Sequence, residues 1–215
     1  GTIDAKLIAI DAISGEPIWQ TDVADPAAGY ALTLSPLIVK DKVIVGIAGG
    51  EYGIRGFISA YDVNTGEEAW KFYTIPGPGE PGHETWQDDD WMYGGASAWI
   101  TGSYDPDTDL IYWGIGNPGP DWNPEQRPGD NLYSDSVVAL NPDTGELEWY
   151  FQFTPNDPYD YDAVQVPVLI DYPAQDGSML KLMLFGNRNG FFYILDRETG
   201  RFINGEPYIN LNWAE

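Results

Sequence analysis

Cysteine is absent from the 215 residues, so no disulfide framework and no thiolate metal site can be built from this chain. Histidine is nearly absent too. His83 stands alone before Glu84-Thr85-Trp86 in a loop-like stretch, and neither a His-based metal site nor a Ser-His-Asp triad is read from it. Basic residues are scarce: 10 Lys and Arg face 34 Asp and Glu, for a formal net charge of -24. A surface of that sign repels nucleic-acid phosphates and anionic lipid, which excludes both as partners. No apolar run approaches the ~20 residues that a membrane-spanning helix needs. No secretory leader opens the chain, and both ends read as cuts through something longer. Long apolar stretches with a 3.6-residue rhythm are missing as well.

What the chain has is aromatics and turn formers. It carries 9 Trp, 14 Tyr, 25 Gly and 17 Pro, a mixture that suits many short strands and argues for an all-β fold. A repeat organises them. Ala9-Ile10-Asp11-Ala12-Ile13-Ser14-Gly15 leads to Trp19, Ala60-Tyr61-Asp62-Val63-Asn64-Thr65-Gly66 to Trp70, and Ala139-Leu140-Asn141-Pro142-Asp143-Thr144-Gly145 to Trp149. A fourth copy, Leu195 to Gly200, has Asn204 in place of the Trp. In each copy a β run enters a turn that Asp or Asn caps and Gly closes, and a second strand then carries an indole suited to docking the unit on its neighbour. The turn glycines are spaced 51, 79 and 55 residues apart, so a unit is about fifty residues with one large insertion, roughly Pro76 to Asn131. That period predicts blades of four antiparallel strands, with residues 1–215 forming about four blades of a larger propeller and further blades lying beyond both ends. A β-sandwich with look-alike hairpins is the plainer alternative.

The repeat resembles the tryptophan-docking motif of quinoproteins that use pyrroloquinoline quinone (PQQ), which are eight-bladed propellers. Further motifs are similar to the methanol/ethanol dehydrogenase branch. Gly49-Gly50-Glu51-Tyr52-Gly53-Ile54-Arg55-Gly56-Phe57 resembles its first metal-site signature. Gly114-Ile115-Gly116-Asn117-Pro118 and Arg127-Pro128-Gly129-Asp130-Asn131 resemble the second. Tyr159-Asp160-Tyr161-Asp162-Ala163 resembles the catalytic loop, and Gly186-Asn187-Arg188-Asn189-Gly190-Phe191-Phe192-Tyr193 the strand that follows it.

The resemblance implies roles residue by residue. Glu51, Asn117, Asp160 and Asp162 are the implied metal ligands, all hard oxygen donors. Asp160 is also the implied base for the alcohol proton, and Arg188 the cation that contacts the quinone oxygens. Trp99 is the implied floor under the flat cofactor. Thr33, Ala48, Gly49, Gly50 and Ser97 take the remaining cofactor contacts, with Ala48 in place of a Ser found in some relatives. Asp162 bears on the choice of ion. In an extended segment Asp160 and Asp162 point to one side, and an added anionic oxygen suits a trivalent lanthanide better than Ca²⁺, which is kept as the alternative.

The implied activity is oxidation of a small primary alcohol to an aldehyde, in the periplasm, with electrons passed to a cytochrome c; a homodimer is one assembly state it allows. Two other readings compete. A non-catalytic quinoprotein-like scaffold would keep the docking repeats but has no reason to hold Glu51, Asn117, Asp160, Trp99 and Arg188 together. A Trp-rich carbohydrate-active protein explains the aromatics but not the repeat. Asp88-Asp89-Asp90 lacks EF-hand spacing and reads as solvated loop. Gly46 to Gly50 precede no helix, so they form no dinucleotide-binding turn.

Overall fold

In all four repeat copies one side-chain oxygen closes the turn. Asp11 Oδ1 accepts from the backbone N–H of Ile13 and Ser14 at 3.0 and 2.7 Å. Asp62, Asn141 and Asp196 accept from the equivalent pairs at 2.8 to 3.2 Å. The glycine that ends each turn has φ between 72° and 75°, a left-handed conformation that costs a β-carbon-bearing residue strain. These turns join antiparallel neighbours, and the rest of the fold is built around them.

The computed structural model describes residues 1–214. Three four-stranded antiparallel sheets follow one another along the chain. The first holds β3 (Leu37–Val39), β4 (Lys42–Gly46), β5 (Phe57–Asp62) and β6 (Glu68–Tyr73). The second holds β7 (Ser103–Asp105), β8 (Leu110–Gly114), β9 (Ser136–Leu140) and β10 (Leu147–Gln152). The third holds β11 (Val168–Pro173), β12 (Met179–Gly186), β13 (Phe191–Asp196) and β14 (Phe202–Pro207). Ahead of them, β1 (Lys6–Ile10) and β2 (Pro17–Asp22) make a two-stranded sheet around the first repeat turn, which matches the third and fourth strands of the other sheets. This is the all-β, bladed architecture expected from the repeat. The stretch Pro76 to Asn131 is not one insertion, however: the β7–β8 hairpin lies inside it, with long loops on both sides.

The middle strands of the first two sheets, β4, β5, β8 and β9, are covered on both faces, so they read as nearly continuous apolar runs. β9, Ser136-Val137-Val138-Ala139-Leu140, is buried at every position. Each docking indole sits on the next sheet's turn. Trp19 Nε1 donates to Val63 O at 3.0 Å and Trp70 Nε1 to Pro142 O at 2.9 Å. Their rings lie over Gly66 and Gly145, and a β-carbon built on Gly145 would stand 2.5 Å from the Trp70 ring. The third indole departs from the pattern. Trp149 covers Gly200, but the expected acceptor, Arg197 O, takes the Tyr112 hydroxyl at 2.8 Å, and Trp149 Nε1 has no partner. Arg197 itself is buried between the second and third sheets, with Nε 2.6 Å from Asp105 and Nη1 2.7 Å from Asp171.

Candidate functional site

In each four-stranded sheet, the segment entering the first strand and the segment leaving the second emerge at the same end, because the two strands are antiparallel. The sequence-predicted residues fall on those segments. Thr33, Trp99 with Ser97, and Asp160 with Asp162 precede β3, β7 and β11. Ala48 to Glu51, Asn117 and Arg188 follow β4, β8 and β12. Backbone hydrogen bonds stitch these segments together across the sheets: Ala98 N to Ile47 O at 2.9 Å, Gly116 N to Ser97 O at 2.8 Å, and Ala163 N to Ile115 O at 3.1 Å.

Asp162 is the hub. Its carboxylate is buried, with Oδ2 3.0 Å from Arg188 Nη1 and Oδ1 3.1 Å from the Asn117 backbone N–H. The Trp99 indole N–H lies 3.5 Å from the same Oδ1, at the outer limit of a hydrogen bond. Gly116 permits this approach, since a β-carbon there would stand 2.6 Å from Asp162 Oδ1.

The segment bearing Asp160 and Asp162 is not extended, which removes the premise that side chains two apart share a side. Both residues have left-handed φ, 59° and 54°. The cause is Asp157, whose two carboxylate oxygens accept from the backbone N–H groups of Tyr159 at 2.8 Å and Tyr161 at 2.6 Å and wind the loop around themselves. Asp162 is thereby turned inward, while Asp160 remains half-buried.

Two neighbouring hollows meet at Glu51. One, of about 360 Å³, is lined by Thr33, Ala48, Gly49, Glu51, Ser97 and Trp99 among others. Thr33 Oγ1 donates to Trp99 O at 3.2 Å and so ties two of its walls. The second, of about 550 Å³, is lined by Gly50, Glu51, Gly119, Asp121 and Trp122 among others. Glu51 belongs to both, on an exposed turn that Gly49 enters with φ of 118°.

The electrostatics ask for a cation. The Asp160 carboxyl is raised above its ordinary range by burial and then by the charges of Asp162, Asp121 and Glu51, with Arg188 opposing. The Asp162 carboxyl is raised as well, by burial first, against the hydrogen bonds from Asn117 and Trp99 and the charge of Arg188. Acidic side chains outnumber the guanidinium groups here: Arg188 faces Asp162 and Asp160, and Arg127 lies behind Asp121. Among the described residues, no three His, Asp or Glu side chains already stand close enough to cage an ion; the Arg188 guanidinium stands against Asp162 instead. The donor chemistry nevertheless fits a hard cation: carboxylate and amide oxygens only.

Four further residues were not singled out by sequence motifs as site residues. Arg127 is wholly buried and joins the loops behind Asn117 and Asp160: Nε donates to Pro120 O at 3.0 Å, Nη1 to Asn131 Oδ1 at 3.0 Å, and Nη2 to Asp121 O at 2.9 Å and to Asp157 O. It lies in the quoted Arg127 to Asn131 motif, a signal that was available. Asp157 precedes Pro158, a turn signal without a functional mark. Asp121 and Asp135 carried no mark at all. Asp135 is buried between Gly116 and Phe153, hydrogen-bonded to both through its backbone, and neither of its carboxylate oxygens has a partner.

Comparison with known proteins places the chain. Residues 1–205 match the family model described as PQQ: glucose/ethanol/alcohol dehydrogenase, beta-propeller domain. Over its full length the chain is 45% identical to quinohemoprotein alcohol dehydrogenase ADH IIB of Pseudomonas putida, of which it covers 33%. It is 42% identical to the lanthanide-dependent methanol dehydrogenase of Methylacidiphilum fumariolicum, of which it covers 38%. A solved europium-containing methanol dehydrogenase superposes with a TM-score of 0.92 at 41% identity, over 99% of this chain and 40% of that one. The chain therefore spans between a third and two fifths of these relatives, and it belongs to the β-propeller family of PQQ-dependent alcohol dehydrogenases.

Proposed function

We propose that this chain carries the metal and quinone side of the funnel in an alcohol dehydrogenase that oxidises small primary alcohols to aldehydes. The observation that carries the reading is the position of Asp162. One buried carboxylate contacts Asn117, Trp99 and Arg188, groups delivered by two other loops and a further strand end, all given site roles by the family resemblance. Glu51, Asn117 Oδ1, Asp160 and Asp162 hold the cation. Trp99 offers its ring face to the quinone, with Thr33, Ala48, Gly49, Gly50 and Ser97 around it. When bound, the quinone supplies the two-electron acceptor and the cation the Lewis acid that polarises its carbonyl.

The remaining chemistry belongs to the chain. Asp160 takes the hydroxyl proton of the alcohol. Arg188 is exposed beyond its contact with Asp162, so its guanidinium is free to turn toward the quinone oxygens. Asp162 is then available to the ion. Three carboxylates around one site are better balanced by a trivalent lanthanide than by Ca²⁺, and the names of the methanol dehydrogenase relatives support that choice. Electron transfer to a cytochrome c and a periplasmic location accompany this reading. A scaffold role has no observation in its favour, since a propeller without a ligand gains nothing from crowding half-buried carboxylates.

Reconstitution of the full-length protein with PQQ and either La³⁺ or Ca²⁺, followed by a dye-linked alcohol assay, tests the proposal. Oxidation of primary alcohols, faster with La³⁺, is expected. Inactivity with both ions across a panel of primary alcohols would return the protein to the scaffold reading.

A further inference from the structure

Asp121 belongs to none of the sequence motifs, yet it lies in the hollow that Glu51 also lines. Its Oδ1 accepts from Asn117 Nδ2 at 2.8 Å. A carboxylate can only accept, so the face of the Asn117 amide turned toward it must be the NH₂ group, and the carbonyl oxygen must face away. The amide nitrogen's other contact is Pro118 O at 3.3 Å. No described donor reaches Asn117 Oδ1, which leaves that oxygen open.

Asp121 is itself held from behind. Arg127, wholly buried, donates through Nη2 to the Asp121 carbonyl at 2.9 Å and through Nε to the Pro120 carbonyl at 3.0 Å. The backbone is thus pinned while the carboxylate projects toward Asn117.

We propose that Asp121 is a positioning residue of the cation site, holding Asn117 with its carbonyl oxygen turned to the ion and adding a fourth negative charge beside Glu51, Asp160 and Asp162. This rests on the metal-site reading above. Ligand-orienting partners of this kind set the direction of the lone pair a metal sees, and their loss commonly weakens binding by ~10–100-fold. The added charge favours a trivalent over a divalent ion.

The two contributions separate by substitution. Asp121→Asn keeps an oxygen acceptor for Asn117 Nδ2 but removes the charge. Asp121→Ala removes both. The test uses the full-length protein, with Tb³⁺ binding followed by luminescence sensitised through tryptophan and Ca²⁺ binding followed by competition. Asp121→Asn is expected to weaken Tb³⁺ by about tenfold and Ca²⁺ by less than threefold. Asp121→Ala is expected to weaken both ions by about a further tenfold, with the metal-free melting temperature near the parent value because Asp121 lies in a half-exposed loop. A change in ion selectivity is something a merely structural residue would not produce. Glu51→Ala serves as the control. If it abolishes Tb³⁺ binding while Asp121→Ala stays within about twofold of the parent, the Asp121 role is overturned and the metal site stands. Tb³⁺ binding that survives Glu51→Ala overturns both.

Discussion

At Gly116 a single β-carbon would lie 2.6 Å from Asp162 Oδ1 and 2.9 Å from Ser97 O. Neither neighbour can yield easily, because the Gly116 backbone N–H is bonded to Ser97 O and Asp162 is buried. Gly116→Ala should therefore push Asp162 out of place and lower lanthanide affinity on the order of tenfold, read by calorimetric titration of the full-length protein; unchanged affinity would show that Asp162 contributes no ligand. Asp135 makes a different prediction. Its carboxyl is pushed well above the ordinary range, by burial first and then by Asp157 and Asp162, with Arg127 opposing. A raised value in the fold means that the protonated form is the one the fold tolerates. Its favourable contribution is complete below the unfolded value near 4 and is lost as pH rises through the folded value. Asp135→Asn removes that titration, so the melting temperature of the variant relative to the parent should climb steadily above about pH 4. A difference that stays flat to pH 8 would contradict the assignment. Nothing in Ser134-Asp135-Ser136 foretold a buried acid: the triplet reads as surface, and only long-range packing hides it.

The repeat turn was legible because everything that makes it lies within a few residues. An Asp or Asn side chain reaches N–H groups two and three positions ahead, and glycine closes the turn. Indole docking was legible in kind but not in detail. Trp70 Nε1 finds Pro142 O, whereas Trp149 loses its acceptor to Tyr112, a residue 37 positions earlier in the chain and outside the repeat. Thermal denaturation of the full-length protein should register this contrast. Trp70→Phe gives up a buried hydrogen bond and Trp149→Phe does not, so the former should be more destabilising by about 1 kcal/mol. Equal losses would mean that ring packing alone accounts for docking. The catalytic-loop candidate was recognisable from its residues, but its shape was not. Asp157 winds it through backbone N–H groups, and Arg127 fastens it through carbonyls, neither of which leaves a periodic mark in the sequence.

Over the whole molecule, the sign of the charge was plain and the place where it concentrates was not. The net charge of -24 sits on a surface with few cations, and several of those are already paired, as Lys40 is with Asp109 and Asp143. Long-range repulsion of this kind is screened by salt, with a Debye length of ~10 Å at 0.1 M. The melting temperature should therefore rise between 20 mM and 300 mM NaCl by roughly a few degrees, and a fall would show that attractive pairs dominate. Part of the acidity is local. Strand ends and loops from three sheets bring Glu51, Asp121, Asp160 and Asp162 to one end of the array, where Arg188 pairs with Asp162 and the buried Arg127 lies behind Asp121. On the proposed function, this charge holds an ion beside a quinone. Crystals of the full-length protein grown with PQQ and La³⁺, with data collected for anomalous scattering, test it most directly. One strong peak is expected within bonding distance of oxygens from Glu51, Asn117, Asp160 and Asp162, with the quinone ring against Trp99. A peak held by other residues, or a quinone bound away from Trp99, would contradict it.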